Sequence, residues 1–442
     1  MVGKPDPASD GAQPVVTSHL VFVTLGSLGD LHPLLALAIE WERRGGRATL
    51  ATSEFHRERV ERVGIGFVPL RPEFDPTDRE LARRAMDLKR GTVFLLRELT
   101  FPHVRDAYED LAGLLERAEA EGEPVDGFVA SELAFAVPVL AEARSLPWAA
   151  TVLQPMALVS AYDPPVVPIL SVLSRLRWLG PLLTNALIRG FERFVRSWAR
   201  PVRELREELG LPSGGEYVTR AKEHADLALV LFSSVLGDRQ PDWPERAVAC
   251  GFPFNRESKT VALSPGLTSF LEAGEAPLVF TLGSAAVFDP GAFYIESLAA
   301  ARELGRRAVL LVGEEDRSGL PSELPDTVHV EAYAPFSLLF PRAAAVVHQG
   351  GVGTTGEALR AGVPQLVVPY SHDQPDNAAR VARLGVARVL ARDAYGAAGA
   401  ARELRALLET PSYGEAATRA AQVVRKETGL ATACDALERM VY

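Results

Sequence analysis

The apolar run AAAVV at 343–347 ends in the glycine-rich turn HQGGVG and passes directly into a helical pattern, TTGEALRAG, that closes at Gly362. A strand that breaks at glycines and re-enters as a helix commits the chain to a parallel α/β layer, because the helix must cross over before the next strand can pair. The next apolar run, QLVVPY at 365–370, comes one helix later and ends in HDQPDN at 372–377. Both polar clusters therefore fall at the carboxyl edge of one sheet, where open α/β folds bind ligands. The first also opens a helix, whose N-terminal N–H groups converge with partial positive charge and favour an anion.

The same alternation runs through the rest of the chain. HLVFVTL (19–25) turns through GSLGDLHP (26–33) into the amphipathic pattern LLALAIEWERRG (34–45), and RATLATS, IGFVPL, PVDGFVAS and PWAATVLQP follow with helical patterns between them. It breaks at 163–210, a helical insert with apolar residues at helical spacing and arginines among them; Arg175, Arg177 and Pro181 interrupt it before about 20 apolar residues accumulate, so it is not a membrane span. The insert is expected to roof a pocket or pack inward, with a basic amphipathic surface touching membrane as the competing reading. Residues 1–17 form a loose tail, 18–255 a first domain and 256–275 a polar linker with Pro and Gly near both ends; 276–442 repeats the alternation as a second domain.

With 442 residues the chain is long enough for two separate cores, and 47% apolar with 24% charged residues is a globular composition. A net charge of −10 argues against a general nucleic-acid binder. Cys250 and Cys434 lie far apart without metal-ligand spacing, and the polar start lacks a signal peptide's apolar core, so a cytoplasmic protein is expected.

From His348 to Asn377 the chain resembles the nucleotide-sugar signature of the family 1 glycosyltransferases, the group that includes bacterial sterol, macrolide and glycopeptide glycosyltransferases. The resemblance implies the GT-B fold: an α/β protein of two Rossmann-like αβ domains facing a central cleft, acceptor in the first and donor in the second, with the last helix crossing back to the first domain. It implies an inverting, metal-independent transferase with no cofactor, moving a sugar from a UDP- or dTDP-sugar to a small lipophilic acceptor such as a natural product, phenol or sterol. A non-catalytic sugar-nucleotide-binding accessory protein, or transfer to a membrane lipid with peripheral membrane contact, are the competing functions; oligomeric state, donor base and acceptor identity stay open.

Sugar transfer needs a base for the acceptor hydroxyl and stabilisation of the departing diphosphate. The N–H groups of Gly351, Val352, Gly353 and Thr354 suit the diphosphate, and the resemblance adds Gly283 and Ser284 on the facing loop. His348 and Gln349 stand where relatives carry histidines; the phosphate-contacting position falls on Gln349, which donates a hydrogen bond but carries no charge, and a satisfied strand-end histidine is the alternative for His348. Glu357 resembles the ribose-binding acid, while Thr354 to Glu357 also reads as a capping box. Asp373 and Gln374 resemble the pair that holds sugar hydroxyls, with Asp373 as a helix N-cap the alternative. Tyr333 and Ala334 lie where relatives bind the nucleobase. Asp30, in GSLGDLHP, is the candidate base, with helix capping as its alternative; His32 is second choice, and Gly29 and His103 are candidate acceptor contacts.

Overall fold

A computed structural model describes residues 17–442 except 74, 76–77, 167–179, 213–219, 255–261, 288 and 314–318. The first sheet is built from β1 (His19–Val23), β2 (Arg47–Thr52), β3 (Gly66–Pro69), β4 (Gly127–Ala130), β5 (Trp148–Val152), β6 (Leu227–Val230) and β7 (Ala247–Ala249). All are parallel, in the order β3-β2-β1-β4-β5-β6-β7. The second holds β8 (Leu278–Thr281), β9 (Ala308–Leu311), β10 (Val328–Glu331), β11 (Ala345–His348), β12 (Gln365–Val367) and β13 (Ala387–Val389), parallel in the order β10-β9-β8-β11-β12-β13.

Sheet order decides which loops meet. β1 pairs with β4, Val23 opposite Ala130, so the turns after these strands emerge side by side. β11 lies between β8 and β12, which brings the loops at 282–283, 349–351 and 368–373 together.

The strands read as continuous apolar runs because helices cover both faces. Leu20 and Phe22 pack under the helix Leu28–Arg43 and the final helix Gly429–Val441, while Val21 and Val23 face the helices Val104–Ala120 and Ala136–Arg144. Ala433, Cys434 and Leu437 thus belong to the first domain's core, and Arg44 pins the crossing helix through Asp435 at 2.6 Å and Glu438 at 2.9 Å. Both cysteines are free and buried.

Three expectations change. The segment 256–275 is not all linker: Pro265–Glu272 is a helix, capped by Ser264, whose Leu267 and Leu271 are buried beneath the second sheet. The first helix starts at Leu28 rather than after Pro33, because Ser27 and Asp30 form a capping box; Pro33 then offers no N–H to the Gly29 carbonyl four residues back. The cores are also not separate. Val152, Val230, Phe232 and Phe252 of the first domain pack with Leu359, Val381, Ala417 and Val424 of the second, and Met86 enters the second domain's core.

Within the insert, the described helices Pro181–Val195 and Arg200–Glu208 bury Ile188, Val195, Val202 and Leu205. Leu182, Leu183, Leu187 and Phe194 remain exposed, so its apolar residues divide between core and surface. Among the described residues no helix is long and apolar enough to cross a membrane.

Close packing at the domain seam gives a test. A Cβ on Gly356 would lie 2.8 Å from the Phe252 ring, whereas nothing stands within 4 Å of one on Gly353. Gly356→Val is expected to destabilise by about 1–3 kcal/mol in urea unfolding, and Gly353→Ala to leave the midpoint unchanged.

Candidate active site

Asp30 sits on the third residue of its helix, half-buried where the turn after β1 opens into the cleft. Its Oδ2 accepts the Ser27 N–H at 3.1 Å, and Ser27 Oγ accepts the Gly29 N–H at 3.2 Å. The capping alternative is therefore real, with Ser27 rather than Asp30 as N-cap. Gly26 makes the approach feasible: its φ is +119°, and a Cβ there would stand 2.5 Å from Asp30 Oδ2. Burial pushes the Asp30 carboxyl up to about 6.

Across the cleft the glycine-rich turn opens the helix Val352–Ala361 with Gly351 as N-cap and no side chain capping it. The first helical bond runs from Thr355 N–H to Gly351 C=O, so the N–H groups of Val352, Gly353 and Thr354 have no intrahelical acceptor. Gly350, at φ +92°, lets the turn fold back, since a Cβ would meet Val367 Cγ1 at 2.7 Å.

His348 is corrected from donor contact to scaffold. It is fully buried; its Nδ1 accepts the Gly350 N–H at 3.1 Å, which leaves Nε2–H to donate to Gln365 Oε1 at 2.9 Å. Both ring nitrogens are used, and burial holds the ring neutral by lowering it to about 4. Gln349 instead lies between the two loops: a Cβ on Gly283 or Gly351 would run into its Nε2, and its buried Oε1 has no hydrogen-bond partner among the described residues. Gly283 begins a short turn, Gly283–Ala286, at φ +64°. The side chain of Ser284 is outside the described residues.

Asp373 occupies the N-cap position of the helix Gln374–Arg383 but makes no capping bond. Its Oδ2 accepts from Asn377 Nδ2 at 2.6 Å, and the same amide nitrogen donates to the Gly350 carbonyl at 2.9 Å, joining this loop to the glycine-rich turn. Burial, with a smaller contribution from Asp30, raises the Asp373 carboxyl to about 7 against the Asn377 amide and the Val352 N–H, which lower it. Gln374 spends its Oε1 on the N–H groups of Tyr370 at 2.8 Å and Ser371 at 3.1 Å, which leaves its Nε2 as the group able to donate to a ligand. Glu357 does not form a capping box: the helix already starts at Val352, and Glu357 pairs with Arg360 at 2.7 Å. Tyr333 is 69% exposed with Ala334 buried behind it.

Glu132, which the sequence reading missed, follows β4 and stands beside the β1 turn. Gln154 Nε2 donates to its Oε2 at 3.1 Å. Burial raises its carboxyl, Asp30 and Asp373 raise it more, and Lys222 opposes them. Asp30, Glu132 and Asp373 thus converge from three loops and two domains. The available signal was an acid two residues past a four-residue apolar strand, informative only once β4 is known to neighbour β1. Gly29 is exposed at the same turn. His32 stands two residues past Asp30 along the helix, where desolvation, with smaller contributions from the Arg59 and His56 charges, disfavours its protonation. His103 bonds Asp106 Oδ2 through Nδ1 at 2.9 Å and borders a small apolar hollow lined by Val23, Leu25, Leu133 and Phe135, at the end of β1. Among the described residues no group of three or more His, Cys, Asp or Glu side chains is arranged to hold a metal ion.

Comparison with known proteins adds an independent line. Residues 296–432 match the model of the erythromycin biosynthesis protein CIII-like C-terminal domain. The chain is 33% identical to O-mycaminosyltylonolide 6-deoxyallosyltransferase of Streptomyces fradiae, over 95% of this chain and 97% of that one. It is 30% identical to vancomycin aglycone glucosyltransferase of Amycolatopsis orientalis, over 83% and 84% of the two chains. Among solved structures, a spinosyn rhamnosyltransferase complexed with thymidine diphosphate superposes with a TM-score of 0.66 at 20% identity, covering 96% of this chain and 100% of that one.

Asp373 generates a stability test. Between its ordinary value of 3.8 and about 7 the unfolded chain releases this proton while the native protein keeps it; above that the native protein carries a buried charge. Native stability is therefore fullest below 3.8 and falls as pH rises through about 7. Asp373→Asn should raise the thermal midpoint more at pH 8 than at pH 5, as read by differential scanning calorimetry.

Proposed function

The chain belongs to the family 1 glycosyltransferases of the GT-B fold, and on that premise we propose an inverting, metal-independent transfer of a sugar from a dTDP- or UDP-sugar to a hydroxyl of a lipophilic natural product. The observation that carries this reading is the uncapped N-terminus of the helix Val352–Ala361 opposite Asp30. N–H groups of Val352, Gly353 and Thr354 would take the negative charge that grows on the departing diphosphate, and the Gln349 amide would donate beside them. Asp373 and the Gln374 amide would hold sugar hydroxyls, Glu357 the ribose, and Tyr333 the base.

In the reaction, the acceptor hydroxyl gives its proton to Asp30 as its oxygen bonds to the anomeric carbon. The bond from that carbon to the diphosphate breaks on the opposite face, and the diphosphate leaves with the electron pair. A carboxylate is a weak base toward a free alcohol, so proton transfer accompanies sugar transfer, when the oxygen becomes acidic. Relatives named for O-mycaminosyltylonolide and for vancomycin aglycone support a natural-product acceptor, and the structural neighbour complexed with thymidine diphosphate supports dTDP as the carrier.

A second reading, transfer to a membrane-borne lipid alcohol, draws on Leu182, Leu183, Leu187 and Phe194, exposed on one helix. Cosedimentation with lipid vesicles together with turnover of a lipid acceptor would favour it; turnover of soluble aglycones without vesicle binding removes it.

The deciding experiment is mass-spectrometric turnover of dTDP- and UDP-sugars against macrolide, phenol and sterol acceptors, with and without a chelator. Asp30→Asn should lower kcat by about 10²–10⁴-fold while dTDP binding is retained. The wild-type kcat/KM should fall about tenfold per pH unit below about 6, where Asp30 holds its proton. Equal turnover by Asp30→Asn would pass the role to His32.

A further inference from the structure

A first-domain segment, 160–166, crosses to the second-domain helix that begins at Gln374. At its near end Asp242 holds it, accepting from Ser160 Oγ at 2.7 Å and from the Ala161 N–H at 2.6 Å. At its far end it meets Arg380, whose side chain is 2% exposed. Arg380 donates from Nε to Asp376 Oδ2 at 2.6 Å, and from Nη1 to the Leu236 carbonyl at 2.9 Å and to the Asp163 carboxylate. Asp376, completely buried, accepts the Val166 N–H on Oδ1 at 2.8 Å. Arg383 stands 3.7 Å from the other oxygen of Asp163.

Asp376 and Arg380 sit one turn apart on the same helix and pair with each other without the first domain. What Asp163, Val166 and the Leu236 carbonyl add is a tie across the seam. On the first-domain side of the segment lies a cavity of about 230 Å³ lined by Leu158, Tyr162, Asn185 and Arg189, among others. The helix that Arg380 belongs to presents Asp373 and Gln374 at its start. One strap is thus a wall of a first-domain cavity and a ligand of the sugar-end helix.

We propose that Asp163 and Arg380 are positioning residues that set the acceptor-side wall, the strap 160–166, in register with the helix that presents the donor sugar. The inference rests on the transferase reading for its consequence, not for its geometry. A charged hydrogen bond to a buried guanidinium fixes direction as well as distance, so the cavity wall moves only as the sugar-end helix moves.

The test is Asp163→Asn, which leaves the Arg380–Asp376 pair in place. Hydrogen exchange should show faster exchange at the amides of Ala161 and Val166, with the helix Gln374–Arg383 still protected. In kinetics, acceptor KM should rise at least fivefold, while the Kd for dTDP and the slow hydrolysis of the donor by water stay within twofold. Asp163→Glu should recover part of the acceptor affinity. Unchanged exchange in the strap overturns the proposal, as does a parallel loss of dTDP binding and donor hydrolysis, which would make the pair a general support of the fold. If the wild type transfers to no acceptor, the functional reading fails, whereas the exchange result still decides whether the strap is held by Asp163.

Discussion

Holding carboxyl groups in a cleft that excludes much of the water is the constraint on which this structure turns. Asp30 and Asp373 both take on a proton more readily than free aspartate because burial disfavours their charge, and Asp30 further raises Glu132 beside it and Asp373 across the cleft. Each carboxyl is offset by a nearby donor: the Ser27 N–H for Asp30, the Asn377 amide and the Val352 N–H for Asp373, and the Gln154 amide for Glu132. Lys222 supplies an opposing charge to Glu132. The cluster therefore destabilises the native state at high pH, and the surrounding packing has to sustain it.

That packing does not stop at the domain boundary. The cluster around Val230, Phe232 and Phe252 continues into Leu359, Val381 and Val424, with Gly356 small enough to let the Phe252 ring approach. The final helix returns across the same seam into the first core, and Glu427, just before it, accepts from Ser233 Oγ at 2.7 Å. The two domains therefore share one apolar seam, with the Arg380 network as its polar edge.

The backbone geometry that the chemistry uses depends on residues without chemistry of their own. His348 accepts the Gly350 N–H and is held in turn by Gln365, seventeen positions on, which keeps the glycine-rich turn folded back over β12. Gly26 and Gly350 permit approaches that any Cβ would block. Asn377 ties the Asp373 loop to the same turn through the Gly350 carbonyl. Asp373 and the helix N-terminus are consequently set by side chains that converge on the Gly350 backbone.

The sequence by itself determined the parallel α/β alternation, the glycine-rich helix N-terminus and the place of Asp30 after the first strand, because each is written locally: apolar runs at strand length, glycines at a strand-to-helix turn, an acid in the turn that follows an apolar run. It also pointed to Asp373, since a polar cluster at the carboxyl end of an apolar run has one edge of the sheet to occupy. Only the tertiary structure decided that His348 is scaffold, that Glu357 pairs with Arg360, that 265–272 is a packed helix and that Glu132 joins Asp30. Strand order placed β4 beside β1, and burial consumed the ring nitrogens of His348. Both depend on residues distant in the chain, and a local pattern records what a side chain is able to do, whereas its partners decide which of those things remains available.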